Sequence, residues 1–581
     1  MEHPLKPAPA PAPATASAPR RRQRASAPAT LLATALTLAS PQVWADVQLE
    51  ILLAPPGALE LRYTPSGSCR TLTLAKQSTV GDSPLRANWQ PLDDCSLIDP
   101  GKDQIQLSRA ACSTARFRVP VTTQHTPAYQ PAFPISDAAV YAHTSNFATT
   151  PACGPLQVVV RAPAVAAEGQ MHAGGLTLPP ARGADTAVLL LREKPADSQG
   201  QRGVPSVLDP KLSPDTIALI QRLADGTIEL LRQELPDAPF RMPIITATMI
   251  RNGGTPHYEG DAADVLRLAL FNWDEPLNAE RRSELTQFVS HEFSHRFQAF
   301  LDAQHYRDER LIHEGGAEFL RWLLGLRLGW LSPEAAARDL DQALSDCLLG
   351  TADLAWGRLP PGRISGARLA YRCGLPAIAL AAASAAPAAP PPFARVNGFY
   401  REVRAQARPD FAQAVECGAP RADCQPRWLP RLLGEQEPMG QVWAELARKT
   451  GLLQAGEPTA DDRRALMIHA ISQLMREDCG GRRSLYPAED GIGLDAMPEH
   501  CKTLRPGMYA QRVAGHALFN DPQALNALLD SCRQTQTVAL GLRDGRSVSL
   551  ACSAGYQPPV DRFYRVQIEP VLQGLGLARK R

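Results

Sequence analysis

His291 and His295 stand four residues apart with Glu292 beside the first, and the stretch Ser290 to Phe319 around them dictates what the rest of the chain must build. On a helix of about 3.6 residues per turn, positions i and i+4 share a face, so both imidazoles can reach one metal ion. Glu292 is then within reach of a water on that ion. Eighteen residues separate His295 from Glu314, which opens H-E-G-G-A-E-F, where a second helix can return a carboxylate to the same ion. Three N/O ligands with one open position is the catalytic arrangement of zinc, whereas structural sites are closed by four protein ligands, usually with cysteines. One Zn2+ per chain is therefore expected on His291, His295 and Glu314. Glu318, one turn after Glu314, can accept the free ring N–H of either histidine and so fix its tautomer. His313 is the rival third ligand, but it would leave Glu314, Gly315 and Gly316 without a role. An ordinary amphipathic helix with Phe288, Val289, Phe293, Phe297 and Phe300 as core contacts is the plainer reading of the five-residue pattern, and the downstream glutamate argues against it.

These residues resemble the gluzincin metallopeptidases of the aminopeptidase N and glycyl aminopeptidase type. Their pattern, H-E-x-x-H, eighteen residues, then E-G-x-A-x-[FY], is matched by His291, Glu292, His295, Glu314, Gly315, Ala317 and Phe319. The resemblance implies a thermolysin-like α+β peptidase unit in which Glu292 acts as general base. It also implies an oxyanion-stabilising tyrosine in a Y-x-x-G helix. Tyr371-Arg372-Cys373-Gly374 lies at that place, with Cys373 where the families usually carry lysine. Their G-x-M-E-N signature is absent, and its region reads Gly253-Gly254-Thr255-Pro256-His257-Tyr258-Glu259-Gly260. In those aminopeptidases a glutamate upstream of the first histidine binds the substrate's free amine. Glu259, thirty-two residues before His291, is the candidate, and a solvated loop residue is the other reading. The resemblance covers residues 47 to about 455.

The remaining sequence frames this unit. Residues 1–45 hold a Pro/Ala-rich start, the cluster Arg20 to Arg24, an apolar run Ala29 to Ala39 and the end Val43-Trp44-Ala45, which reads as a secretory signal. Twelve cysteines fall in three groups of four with no C-x-x-C spacing, so disulfides in an oxidising compartment are expected, each group closing its own bridges. Nearest-neighbour pairing is the simplest pattern. The chain's formal charge is +2; residues 1–45 contribute +4, five basic groups against Glu2, so the rest carries about −2. No basic stripe is left to bind nucleic acid, and no stretch is long enough to span a membrane.

The expected fold is multidomain: residues 46–165 an N-terminal β-sandwich of short strands, 180–455 the gluzincin catalytic domain with a helical subdomain, and 460–581 a C-terminal α+β module. In the catalytic domain, Ala187 to Leu191, Met242 to Ile250 and Val265 to Phe271 read as strands and Pro214 to Glu234 as a helix. The order of elements in the last module resembles a PDZ domain. The function expected is an exported, periplasmic or extracellular, zinc-dependent metallopeptidase acting on peptide or protein, with aminopeptidase action as the finer reading. A catalytically inactive peptide-binding protein retaining the fold is the alternative, and the sequence sets no oligomeric state.

Overall fold

The computed structural model describes residues 47–578, except 55–56, 76–78, 81–82, 125, 127–128, 195–202, 255, 263, 299–310, 352–353, 361–362, 365–367, 386–388, 406–409, 419–423, 480–482, 497–500, 553–559 and 561. The expected leader, and Phe300 among the expected core contacts, lie outside the described residues.

Val47–Ala54 alternates buried and half-buried side chains, as a strand with one face on a core must. It runs antiparallel to Ala58–Pro65 and parallel to Leu156–Arg161, in a six-stranded sheet completed by Ala115–Pro120, Gln90–Pro91 and Leu176–Thr177. A five-stranded sheet, in the order Ala132–Ile135, Ala139–His143, Ala187–Leu191, Ala164–Ala167, Gln170–Ala173, packs on it. Val140, Ala142, Val165, Val188 and Leu190 share one core with Leu49, Ile51, Leu61 and Phe117 of the first sheet. The opposite face, with Ala139, Tyr141, Ala166 and Leu189, meets Ile244, Val265, Ala269 and Phe271 of the next sheet. This sheet is thus a middle layer, which is why Ala139–His143, Ala164–Ala167 and Ala187–Leu191 are buried along their whole length rather than alternately. Ala187–Leu191 forms the strand expected of it, and its ladder partners are Ala139–His143 and Ala164–Ala167.

The third sheet supports the stretch that carries His291 and His295. Ser206–Leu208, Ile244–Ile250 and Val265–Phe271 are parallel neighbours, and His257–Ala262 adds antiparallel at the edge. Helix Pro214–Glu234 begins with proline in its first turn and with Ser213 Oγ accepting from the Thr216 N–H, and its buried stripe (Leu219, Ile220, Leu223, Leu231) packs in the largest core. Helix Ala279–Ser294, capped by Asn278, contributes Leu285, Val289 and Phe293 to the same core. It crosses the edge strand at Gly260, where a Cβ would stand 2.0 Å from Phe288 Cζ. Helices Gly316–Leu328, Pro333–Thr351, Leu369–Ala383, Pro392–Arg404 and Met439–Thr450 follow.

All twelve cysteines are bridged, within the expected groups: Cys69–Cys153, Cys95–Cys112, Cys347–Cys373, Cys417–Cys424, Cys479–Cys501 and Cys532–Cys552. The first group is nested rather than paired by nearest neighbours, because Cys95–Cys112 closes a loop inside the segment that Cys69–Cys153 spans. Towards the C-terminus, helices Ala460–Asp478 and Ala524–Thr535 pack on an antiparallel sheet ordered Arg483–Pro487, Ile492–Ala496, Met508–Val513, Thr537–Leu542, Ser547–Ala551. The chain then returns to the helical region: Phe563–Val566 pairs with Leu453–Gly456, and Tyr564, Val571 and Leu572 join the largest core. Among the described residues no helix is long and apolar enough to cross a membrane.

Candidate metal centre

The helix Ala279–Ser294 ends between the two histidines. His291 lies in its last turn, and His295 opens a 3-10 turn, His295–Phe297. Even so, their Nε2 atoms are only 3.1 Å apart. Glu314 arrives on one turn of π-helix, Leu311–Gly315, that leads into helix Gly316–Leu328. Its Oε2 stands 3.6 Å from His291 Nε2 and 3.4 Å from His295 Nε2. Four-coordinate zinc with ligand bonds of about 2.05 Å separates its ligand atoms by about 3.3 Å, so this triangle has the size of one face of such a site. Glu314 Oε2 is buried without a hydrogen-bond partner. Two ring nitrogens and a buried carboxylate oxygen converging with nothing between them is a donor set that suits a cation.

Electrostatics show how strongly these groups act on one another. Burial would raise the Glu314 carboxyl, but the facing histidines hold it well below the usual carboxylate range. Burial would likewise lower His291, yet Glu314 and Glu318 push it up to about 10. Glu318 Oε1 is 2.9 Å from His291 Nδ1. Arg321 grips the other Glu318 oxygen through Nε at 2.7 Å and reaches Asp339 at 2.9 Å, and despite burial the Glu318 carboxyl is held at about 2. A fixed negative charge behind the imidazole orients the ring and raises its basicity. His313 stacks on His295, centroids 4.1 Å apart, and burial drives it down to about 3. The group of donors close enough for one ion comprises His291, His295 and Glu314, and His313 is outside it.

Glu292 follows His291 on the same helix, and burial raises its carboxyl, aided by Glu314 and Asp261 and opposed by the two histidines. Tyr371 lies against the site from the other side, its ring stacked on His291 with centroids 5.4 Å apart. Burial and then Glu314 raise its phenol well above the ordinary value. Two glycines allow this approach. A Cβ on Gly315 would be 2.5 Å from Gly374 Cα, and one on Gly374 would be 2.3 Å from Gly315 Cα. The residue after the candidate ligand and the last residue of Y-x-x-G therefore touch backbone to backbone, and no side chain fits between. Cys373, at the departure from the family pattern, bonds Cys347 and ties this helix to Pro333–Thr351.

Sequence reasoning missed Gln298. Its Oε1 lies 2.9 Å from His295 Nδ1, and its Nε2 donates to Ile312 O at 3.3 Å, linking the two ligand-bearing segments. Gly316 makes room for it, since a Cβ there would be 2.5 Å from Gln298 Nε2. Nothing in the spacing marks this glutamine; only the second glycine of H-E-G-G signals that something passes close. Glu259 sits on the edge strand opposite Ala269 rather than in a loop. Tyr258 packs on Phe288 of the metal-ligand helix, so Glu259 leaves the strand on the other face, which it shares with Asp261. Asp261 accepts from Tyr141 Oη and from Arg267 Nε, while Glu259 Oε1 lies 3.9 Å from His257 Nε2.

No family profile matches the chain, and no curated protein does. Among solved structures it is similar to an aminopeptidase N family protein from Idiomarina loihiensis, at 12% identity over 91% of this chain and 99% of that one, with a TM-score of 0.48. It is also similar to Legionella pneumophila aminopeptidase A in complex with aspartic acid (11% identity, 64% of this chain and 47% of that one, TM-score 0.35). A third similar structure is an M1 zinc metallopeptidase from Deinococcus radiodurans (14% identity, 68% and 93%, TM-score 0.32).

Proposed function

We propose that this protein is a zinc-dependent peptidase whose metal is held by His291, His295 and Glu314. The observation that carries the reading is the triangle of donor atoms, at 3.1, 3.4 and 3.6 Å, with a buried Glu314 oxygen that has no other partner. Zinc held there would supply Lewis-acid chemistry, lowering the pKa of a water to about 7 and polarising a carbonyl. Glu292 takes the proton of the attacking water and delivers it to the leaving amine, a task suited to a carboxyl whose pKa burial has raised. The Tyr371 hydroxyl donates to the carbonyl oxygen as charge develops on it. Glu318 and Gln298 hold the two imidazoles. The edge strand His257–Ala262 offers main-chain groups to an extended peptide, which gives the substrate its direction across the site.

In the same reading residues 1–45 are an export leader and the six bridges belong to an oxidising compartment. Residues 46–165, 180–455 and 460–581 serve as sandwich, catalytic unit and PDZ-like module. Glu259 is the carboxylate assigned to the free amine of a substrate, which makes the enzyme an aminopeptidase. The test is metal analysis of the purified protein with mapping of cleavage sites in a peptide library, on free and N-acetylated peptides. One zinc per chain, lost in Glu314→Ala, and cleavage slowed by acetylation support all of it. Zinc without cleavage would make the protein an inactive peptide binder, and cleavage indifferent to acetylation would remove the role given to Glu259.

A further inference from the structure

Arg368 caps the helix that carries Tyr371, in the left-handed region at φ 51°, ψ 36°. A non-glycine residue held there is strained, and such strain collects at ligand clamps and active sites. Its guanidinium lies over the Tyr371 ring, 4.6 Å from the centroid, and Tyr371 in turn stacks on His291. The order imidazole, phenol, guanidinium therefore leads outward from the metal-ligand triangle. Arg368 thus lies against the ring of the tyrosine that borders the metal-ligand triangle.

The other arginines around this site each have a carboxylate. Arg321 holds Glu318 and Asp339, Arg281 holds Glu284, and Arg372 holds Asp346 at 2.6 Å. Arg368 is exposed and makes no ion pair among the described residues. An exposed guanidinium held over an aromatic face, with no carboxylate on it among the described residues, presents its planar N–H fork to whatever approaches.

We propose that Arg368 selects substrates that carry a carboxylate side chain next to the scissile bond. This rests on the peptidase reading above. In that reading Tyr371 contacts the carbonyl being cleaved, and the Arg368 guanidinium, 4.6 Å from the centre of its ring, is within reach of the side chain of an adjacent residue.

The experiment uses the full-length zinc-loaded protein and pairs of peptides that differ only by Glu against Gln, placed in turn at the two positions on each side of the cleaved bond. At one position the glutamate peptide should show a kcat/KM roughly ten- to a hundredfold higher, the size of a charge-assisted bond. The ratio should fall to about one in Arg368→Gln, persist in part in Arg368→Lys, and give way in Arg368→Glu to a preference for lysine over glutamine, a reversal that loss of packing cannot produce. Absence of any Glu preference in wild type, or its survival in Arg368→Gln, overturns the assignment while leaving the peptidase reading intact. If no peptide is cleaved, the peptidase reading falls, and the dissociation constants of the same pairs for wild type and Arg368→Gln decide the Arg368 assignment by the same ratio.

Discussion

His295 and Arg296 are neighbours in the chain but belong to clusters of opposite character. Around Arg296 two carboxylates are shared among three guanidinium groups: Asp264 accepts from Arg296 through one oxygen and from Arg182 Nη2, at 2.7 Å, through the other, with Arg241 at 3.6 Å. Glu168 lies 3.4 Å from Arg182 and 3.7 Å from Arg241. Around His295 the donors converge on one point instead, and Glu314 Oε2 is buried without a hydrogen bond. A network of opposed charges fixes position, since breaking it strands a charge. Buried donors that converge without closing on one another form the arrangement that a bound ion completes. The two clusters share one helix end, so the ion-paired one holds the unsatisfied one in place.

Glu292 separates the two clusters most strongly. Glu292→Gln should lower kcat about a thousandfold with zinc retained, the loss expected for a general base. Stability should not fall, because the substitution removes a buried charge whose ionisation burial already disfavours. Steady-state kinetics, metal analysis and denaturant unfolding of the variant check all three. A variant that is markedly less stable would mean that the metal cluster also carries structural charge, and the contrast with Asp264 would fail.

Asp264→Ala should do the reverse. It leaves three guanidinium groups with Glu168 alone, and Arg296 and Asp264 are both nearly inaccessible to solvent. Stability should drop by about 3 kcal/mol, read as a lower denaturant midpoint, while zinc stoichiometry stays at one. Unchanged stability would show that the arginines find other partners.

Tyr371→Phe ranks next. Losing one oxyanion donor should cost roughly a hundredfold in kcat, with zinc affinity kept. This residue also shows what was legible in the sequence. The convergence of the candidate ligands could be read because it is local: His291, His295 and Glu314 sit at spacings that a helix and a return connection convert directly into proximity. Tyr371 could be read only through a family pattern, since its approach depends on Gly315 meeting Gly374 and on Cys347–Cys373, contacts that couple distant segments. The middle-layer sheet is hard to place from sequence for a similar reason. Ala187–Leu191 is apolar throughout, so periodicity marks it as buried without saying which sheet claims it. The edge strand around Glu259 was hidden because His257-Tyr258-Glu259-Gly260-Asp261-Ala262 carries no hydrophobic alternation; its strand form is imposed by the ladder with Val265–Phe271.

Gln298 gives the smallest effect and the finest distinction, because it is a satisfied residue serving the unsatisfied cluster. Its carbonyl oxygen takes the Nδ1 side of His295 at 2.9 Å, leaving Nε2 with the lone pair that faces Glu314, and its amide is anchored on Ile312 O. In Gln298→Ala the imidazole loses the partner that selects its tautomer, and the gap beside Gly316 is left unfilled. Zinc affinity measured by chelator competition should fall about tenfold, the lower end for loss of a hydrogen bond behind a metal-binding histidine, while kcat at saturating zinc changes little. Gln298→Glu separates orientation from packing: a carboxylate still accepts from Nδ1 but cannot donate to Ile312 O. If the affinity returns in Gln298→Glu, the bond to His295 is what matters. Equal loss in both variants would assign the effect to the anchor between the two ligand segments, and no loss in either would reduce Gln298 to filling space beneath Gly316.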